Sequence, residues 1–285
     1  MSYLQRIEEI NRYDLSHFRP WWVGGTRVGW VKPAFAAALA GHDAVFEVSE
    51  AGVRLRPALA DPRARSAAVA EVVADLHQRG VIRHWYDELY PVNTGFSRPA
   101  LLLLERAAVP LFGARAYGVH VNGIVRRDDG WWMWVARRSR SKPNFPGMLD
   151  NFVAGGQPAG LDLLDNVIKE CGEEAGVPPA LAGLAQPVGE LRYCVETEQG
   201  LKPDTIFAFD LELPPDFEPH ANDGEVESFE LLPLAEVADL VANTRQFKPN
   251  CNLVVIDFLL RHGFIAADDP QRLALQQALH PTLPV

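Results

Sequence analysis

The stretch Gly155-Gly156-Gln157-Pro158-Ala159-Gly160-Leu161, followed by Lys169-Glu170-Cys171-Gly172-Glu173-Glu174-Ala175-Gly176-Val177, decides how the rest of the chain is read. Glu170, Glu173 and Glu174 stand at i, i+3 and i+4, which at ~100° per residue puts three carboxylates on one helix face. Like charges so placed cost about 0.2–0.5 kcal/mol per pair in an isolated helix. A hard divalent cation turns that repulsion into a site, because Mg²⁺ takes carboxylate oxygens and keeps waters for a phosphate substrate. Leu164, Val167, Ile168, Cys171 and Ala175 recur at 3/4 spacing and predict an apolar stripe for a core. Asp162 can cap the helix start. Gly176 can supply the left-handed position at its end, and Pro178-Pro179 forbids continuation.

This loop–helix–loop resembles the Nudix box, the signature of hydrolases that cleave nucleoside and other organic diphosphates. The resemblance makes Gly155 the first glycine and places Lys169 where the family has arginine. Glu170 then takes the first core glutamate, Glu173 and Glu174 the pair, Gly176 the closing glycine and Val177 the last apolar position. Two positions depart: Leu161 replaces the isolated glutamate, and Lys169 the arginine. In the family those two pair to brace the helix, so the i, i+4 pair Asp165–Lys169 is expected to brace it here. The resemblance implies an α/β fold: a Nudix α/β/α sandwich preceded by a smaller α+β domain. It also implies Mg²⁺ or Mn²⁺ held by Glu170, Glu173, Glu174 and a carbonyl of the Gly155–Gly156 loop. A bare acidic helix face is the alternative, and the full spacing with its glycines argues against it.

Composition fits a soluble enzyme. The 285 residues are ample for two domains. A formal net charge of −10 argues against non-specific nucleic-acid binding or an anionic membrane surface. No long apolar run exists, since Leu101-Leu102-Leu103-Leu104 is stopped by Glu105-Arg106. The first nine residues carry acids and no apolar centre, unlike a secretory signal. Cys171, Cys194 and Cys251 are odd in number and lack metal spacing, so they read as reduced and buried, which fits a cytoplasmic protein.

Two blocks are expected, an accessory domain over 1–113 and a hydrolase domain over 114–285, joined at the Pro-containing link Val109-Pro110-Leu111-Phe112-Gly113. The first is predicted to hold helices at 2–11, 33–40 and 66–78 and short strands at 45–48 and 52–55. The second is predicted to open with strands at 119–125 and 131–137 around the Asp128-Asp129-Gly130 turn. Strands at 189–195, 205–213 and 226–232 and a helix at 252–261 follow the box. The likeness narrows to a Nudix subgroup with an extra N-terminal domain that hydrolyses thiamine diphosphate and its damaged analogues. It is carried by Trp85-Tyr86-Asp87-Glu88-Leu89-Tyr90, Tyr117-Gly118-Val119-His120-Val121-Asn122-Gly123, Pro146-Gly147-Met148-Leu149-Asp150-Asn151, Asp223-Gly224-Glu225-Val226-Glu227 and Phe247-Lys248-Pro249-Asn250.

Outside the box, Glu225 and Glu227 are candidates for a general base or extra ligand, with Asp223-Gly224 turning the chain before them. Being two apart in a strand, they are expected to face the same way, toward the site or toward solvent. The basic run Arg137–Lys142 offers Arg138, Arg140 and Lys142, with Gly156, as contacts for a diphosphate. Tryptophans 131, 132 and 134 are read as core packing, and His120 as a core histidine. Lys248 and Asn250 stay open between site and helix entry. The expected partner is a small-molecule diphosphate, with no nucleic acid and no membrane; a homodimer is compatible with the reading. ADP-ribose, NADH or nucleoside phosphates are the alternative substrates, and a ligand-sensing module without turnover is the alternative class.

Overall fold

The protein is described by a computed structural model over residues 2–222 and 224–285. After helix α1 (Tyr3–Glu9), strands β1 (Arg19–Val23), β2 (Thr26–Val31), β3 (Phe46–Ser49) and β4 (Gly52–Leu55) form a sheet of order β2-β1-β4-β3. Two helices, α2 (Pro33–Leu39) and α3 (Pro62–Gln78), and the antiparallel pair β5 (Leu89–Val92) and β6 (Leu102–Glu105) complete this block. Helix α3 begins four residues earlier than expected, because Asp61 accepts the N–H groups of Arg63 and Ala64 and Pro62 suits a first turn. It ends at Gly80, in the left-handed region at φ 73. The core gathers on Trp21 and Phe112, whose rings lie 4.5 Å apart. Phe112 closes helix α4 (Val109–Phe112), and Gly113 turns at φ 56 directly against the Trp30 backbone, an approach that a side chain would block.

The second block is built on a mixed sheet. Strands β7 (Ala116–Arg127), β8 (Gly130–Arg138), β9 (Leu149–Asp150), β10 (Val153–Gly156), β11 (Gln186–Glu196), β12 (Leu201–Glu212) and β13 (Val226–Pro233) take the order β11-β12-β7-β8-β13, with β10 paired to β7 and β9 to β8. β7 and β8 form the expected hairpin around Asp128 and Asp129. β12 runs parallel to β7 and the other pairs are antiparallel. One face carries helices α5 (Leu163–Ala175) and α6 (Pro179–Ala182), packed on Val119, Val121, Phe209 and Leu211. Against the other lie α7 (Leu234–Asn243), α8 (Cys251–Arg261) and α9 (Arg272–Ala278), packed on Ile124, Met133, Tyr193 and Ile206. This is the α/β/α sandwich.

The sequence reading misplaced one element and missed others, among them β1, β2, β5, β6, α7 and α9. Helix α1, expected with the first block, packs on the second: Ile7 and Ile10 join its core and Arg6 Nε donates to Val241 O at 3.1 Å. Strands β1 and β2 were not anticipated, because Pro20 and the Gly24-Gly25 turn interrupt the apolar pattern. Trp131 packs against Phe258 at 5.7 Å, and Trp132 and Trp134 are partly buried against the core on the α5 side, as core packing requires. No helix among the described residues is long and apolar enough to cross a membrane.

Candidate active site

β10 lays the first glycines of the box beside β7, Ala154 opposite His120, Gly155 opposite Val119 and Gly156 opposite Gly118. The chain then loops over residues 157–162 into α5. Asp162 accepts the Leu164 N–H at 2.9 Å, and Gly176 turns at φ 64, with Val177 N–H donating back to Cys171 O at 3.0 Å. Both ends of the helix are therefore held by the residues that the spacing singled out. The stripe is shifted, however: Leu164 is exposed, while Asn166 is fully buried with Val167, Cys171 and Ala175.

The displaced asparagine accounts for the brace. Asp165 does not pair with Lys169; the lysine ammonium instead meets Glu170 at 3.1 Å and Glu173 at 2.8 Å. Asn166 Nδ2 donates to Gly156 O at 2.8 Å and to Gln157 Oε1 at 2.9 Å, and Gln157 Nε2 donates to Leu161 O at 2.7 Å. A buried amide pair thus ties helix to loop where the family uses an ion pair. Nothing in helical periodicity marks Asn166, since an asparagine at a core position reads as a defect until its partners are known.

Glu174 is the best buried of the acids, 8% exposed, and its Oε2 accepts the Ala154 N–H at 3.0 Å. Burial pushes its carboxyl well above the usual range, and the charges of Asp150, Glu170 and Glu225 add to the rise against the Ala154 bond. Burial also raises Glu170, which lies directly over Gly155, where a Cβ would come within 2.6 Å of its Oε1. Glu173 stays half exposed beside Lys169. Among the described residues no three of these carboxylates bring oxygens within 4.8 Å of one another. The donors are nonetheless hard oxygens of one sign on one helix face, the donor chemistry that a divalent cation takes.

Glu225 and Glu227 are both exposed on either side of the buried Val226, the pattern that their two-residue spacing expects, although the register shifts between Val226 and Ser228. Glu225 pairs with Lys142 and its charge is felt at Glu174; Glu227 pairs with the exposed Arg140 at 3.4 Å. Gly224 turns at φ 77, and Asp223, the other half of the expected turn, lies outside the described residues. Arg138 is not a free phosphate contact, because it meets Asp150 at 2.7 Å and donates to Phe145 O and Asn144 O.

The sequence reading missed Asp150 as a centre. It lies between Arg138 and Lys248, the latter at 3.4 Å, and accepts from the Cys251 thiol at 2.7 Å. Though burial opposes ionisation, Lys248, His120 and Arg138 hold its carboxyl down to about 2. His120, Asp150 and Cys251 bring ligand atoms within 4.8 Å of one another, yet two cations already balance the single carboxylate, so the cluster reads as a buried ion network. His120, bonded through Nδ1 to Asn151 Oδ1 at 2.7 Å, is pushed down to about 4 by burial and then by Lys248. A histidine depressed on folding stabilises fully above its unfolded value near 6.5, and that share is lost as pH falls toward 4. It amounts to on the order of 3 kcal/mol. The raised glutamates slope the opposite way, so the readout is a difference. Urea midpoints of wild type and His120→Gln should converge as pH falls from 6.5 to 4.5; parallel curves would refute the assignment.

Residues 116–251 match the family model described as NUDIX domain, and residues 2–116 match a domain of unknown function, DUF4743. The chain is 42% identical over 289 residues to Nudix hydrolase 20, chloroplastic, of Arabidopsis thaliana, covering 98% of this chain and 77% of that protein. It is 41% identical to Nudix hydrolase 24, chloroplastic, of the same plant, with the same coverage. The chain belongs to the Nudix hydrolase family. It is a hydrolase of pyrophosphate bonds in diphosphate-containing substrates, and Nudix hydrolases generally use divalent metal ions. Solved structures similar to it include the NUDIX domain of Shewanella oneidensis NrtR complexed with ADP ribose, at 14% identity and TM-score 0.41, covering 53% of this chain and 90% of that one. The MutT protein from Methanosarcina mazei Go1 gives 17% identity and TM-score 0.40, covering 52% and 96%.

Proposed function

We propose that this Nudix hydrolase cleaves thiamine diphosphate or an oxidised analogue to the monophosphate and phosphate, with Mg²⁺ or Mn²⁺ held by Glu170, Glu173 and Glu174. The observation that carries the catalytic reading is Glu174, buried, fixed to the Ala154 N–H and surrounded by the charges of Glu170 and Glu225. A divalent ion bound there supplies charge neutralisation at the non-bridging phosphate oxygens and lowers the pKa of a bound water. Water oxygen bonds to the terminal phosphorus, the bridging P–O bond breaks, and the organic monophosphate leaves. Glu225 is the carboxylate we assign to accept the water proton, because its charge reaches Glu174, and Lys142 is its ion-pair partner. From the basic run Arg137–Lys142, Lys142 and Arg140 are the cations we assign to phosphate binding, paired with Glu225 and Glu227 before substrate arrives. The substrate choice is supported by the subgroup likeness around residues 85–90, 146–151 and 247–250.

The test is product release from thiamine diphosphate, its oxo and oxy analogues, ADP-ribose, NADH and nucleotides, with Mg²⁺ or Mn²⁺. Metal-dependent turnover selective for thiamine compounds is the expected result. Turnover confined to nucleotides keeps the chemistry and overturns the substrate. Tight binding without turnover of any member overturns the enzyme reading in favour of a sensing module.

A further inference from the structure

The domain of unknown function reaches the glycine loop of the box at one place. Gly156 carries no side chain, and the space a Cβ would take is filled from β5 and the turn after β6. The Tyr90 hydroxyl projects into it and Arg106 Cζ lies 3.6 Å away. The backbone ties the same parts together, Ala159 N–H donating to Leu89 O at 2.8 Å. Gly155, the preceding residue, is the one over which Glu170 lies, so the two contacts are one residue apart on β10.

Arg106 is held in place rather than loose. Its Nη1 donates to Glu88 at 2.8 Å, and its guanidinium lies 4.7 Å from the Tyr86 ring and 5.9 Å from the Tyr90 ring. Glu105, 5% exposed, fixes the segment beneath by accepting the N–H groups of Tyr86 and Glu88 at 3.0 and 3.3 Å. The arginine side chain remains 41% exposed, and a guanidinium offers five donors in a planar fork that matches phosphate oxygens. A cation oriented in advance beside a loop that meets a diphosphate loses little freedom on binding it.

We propose that Arg106 of the N-terminal domain is a substrate-binding residue of the hydrolase site, donating to a phosphate oxygen of the diphosphate beside Gly156, with Glu88 positioning it. This rests on the box being the hydrolytic site and not on the identity of the organic group. The diphosphate site is then incomplete without the N-terminal domain, which gives that domain a catalytic reason to be attached.

The full chain with Mg²⁺ is titrated with inorganic pyrophosphate by calorimetry, and KM and kcat are measured on whichever diphosphate it turns over. Arg106→Ala should weaken pyrophosphate binding and raise KM about tenfold or more, with kcat much less affected. Arg106→Lys should recover part of the loss, and Glu88→Gln should fall between. Unchanged pyrophosphate affinity and KM in Arg106→Ala, at wild-type melting temperature, would overturn the proposal. If Arg106→Ala does not fold, Arg106→Gln decides, since full wild-type affinity with that neutral side chain would equally overturn it. Pyrophosphate binding that depends on Arg106 in a chain that ignores thiamine compounds would sink the substrate reading alone.

Discussion

Replacing Glu174 by glutamine is expected to cut turnover by roughly 10²-fold or more while leaving the protein folded. Loss of a group that only supports a metal ligand already costs about 10–100-fold, and Glu174 is argued to be a ligand itself. The unusual part is the expected stability. The carboxyl is buried, lies near Glu170, Glu225 and Asp150, and is raised in pKa by that burial and those charges. Glutamine keeps the shape and an oxygen for the Ala154 N–H, so without added divalent ion the variant should melt at or above the wild-type temperature. Adding Mn²⁺ should raise the wild-type melting temperature and leave that of the variant nearly unmoved. A variant that keeps turnover, or one that loses stability and turnover together, would show that Glu174 is structural.

Asp150→Asn should be the most destabilising isosteric change near the site, at about 3–5 kcal/mol. Asp150 is 6% exposed on its side chain, Arg138 14% and Lys248 17%, so the variant leaves two cations together with no buried counter-charge. Combining Asp150→Asn with Lys248→Met should recover part of the loss, because one of the stranded charges is removed with it. Thermal melts of the four proteins in the cycle at pH 7 measure both effects. A single variant that melts with the wild type would mean that the network is solvated and contributes little.

Much of the site is legible without coordinates because its signals are local. Glu170, Glu173 and Glu174 share a face by helical geometry alone, and Asp162 and Gly176 close that helix by capping rules that involve only their neighbours. The hairpin around Asp128 and Asp129 and the late helix α8 follow from the same short-range logic. The brace was misassigned because helical spacing offers Lys169 two i, i+4 partners, Asp165 and Glu173, without choosing between them, and cannot see that Gln157 folds back on Asn166. Glu225 and Glu227 flank the buried Val226 as strand spacing expects, but their partners Lys142 and Arg140 come from the loop after β8 and are not legible in the strand.

The residues that only the folded chain brings together lie on different strands and helices, some of them across the domain boundary. Asp150 finds Arg138 across a strand pair and Lys248 at the entry to α8, and Arg6 finds the end of α7. Tyr90 and Arg106 meet Gly156 only because β5 and the turn after β6 lie against the box loop. Sequence spacing settles which helix carries the acids and where it stops, since those depend on backbone geometry within a few residues. Which cations, amides and aromatic rings surround those acids depends on long-range packing: burial raises Glu174, whereas Lys248, His120 and Arg138 hold Asp150 down against its burial.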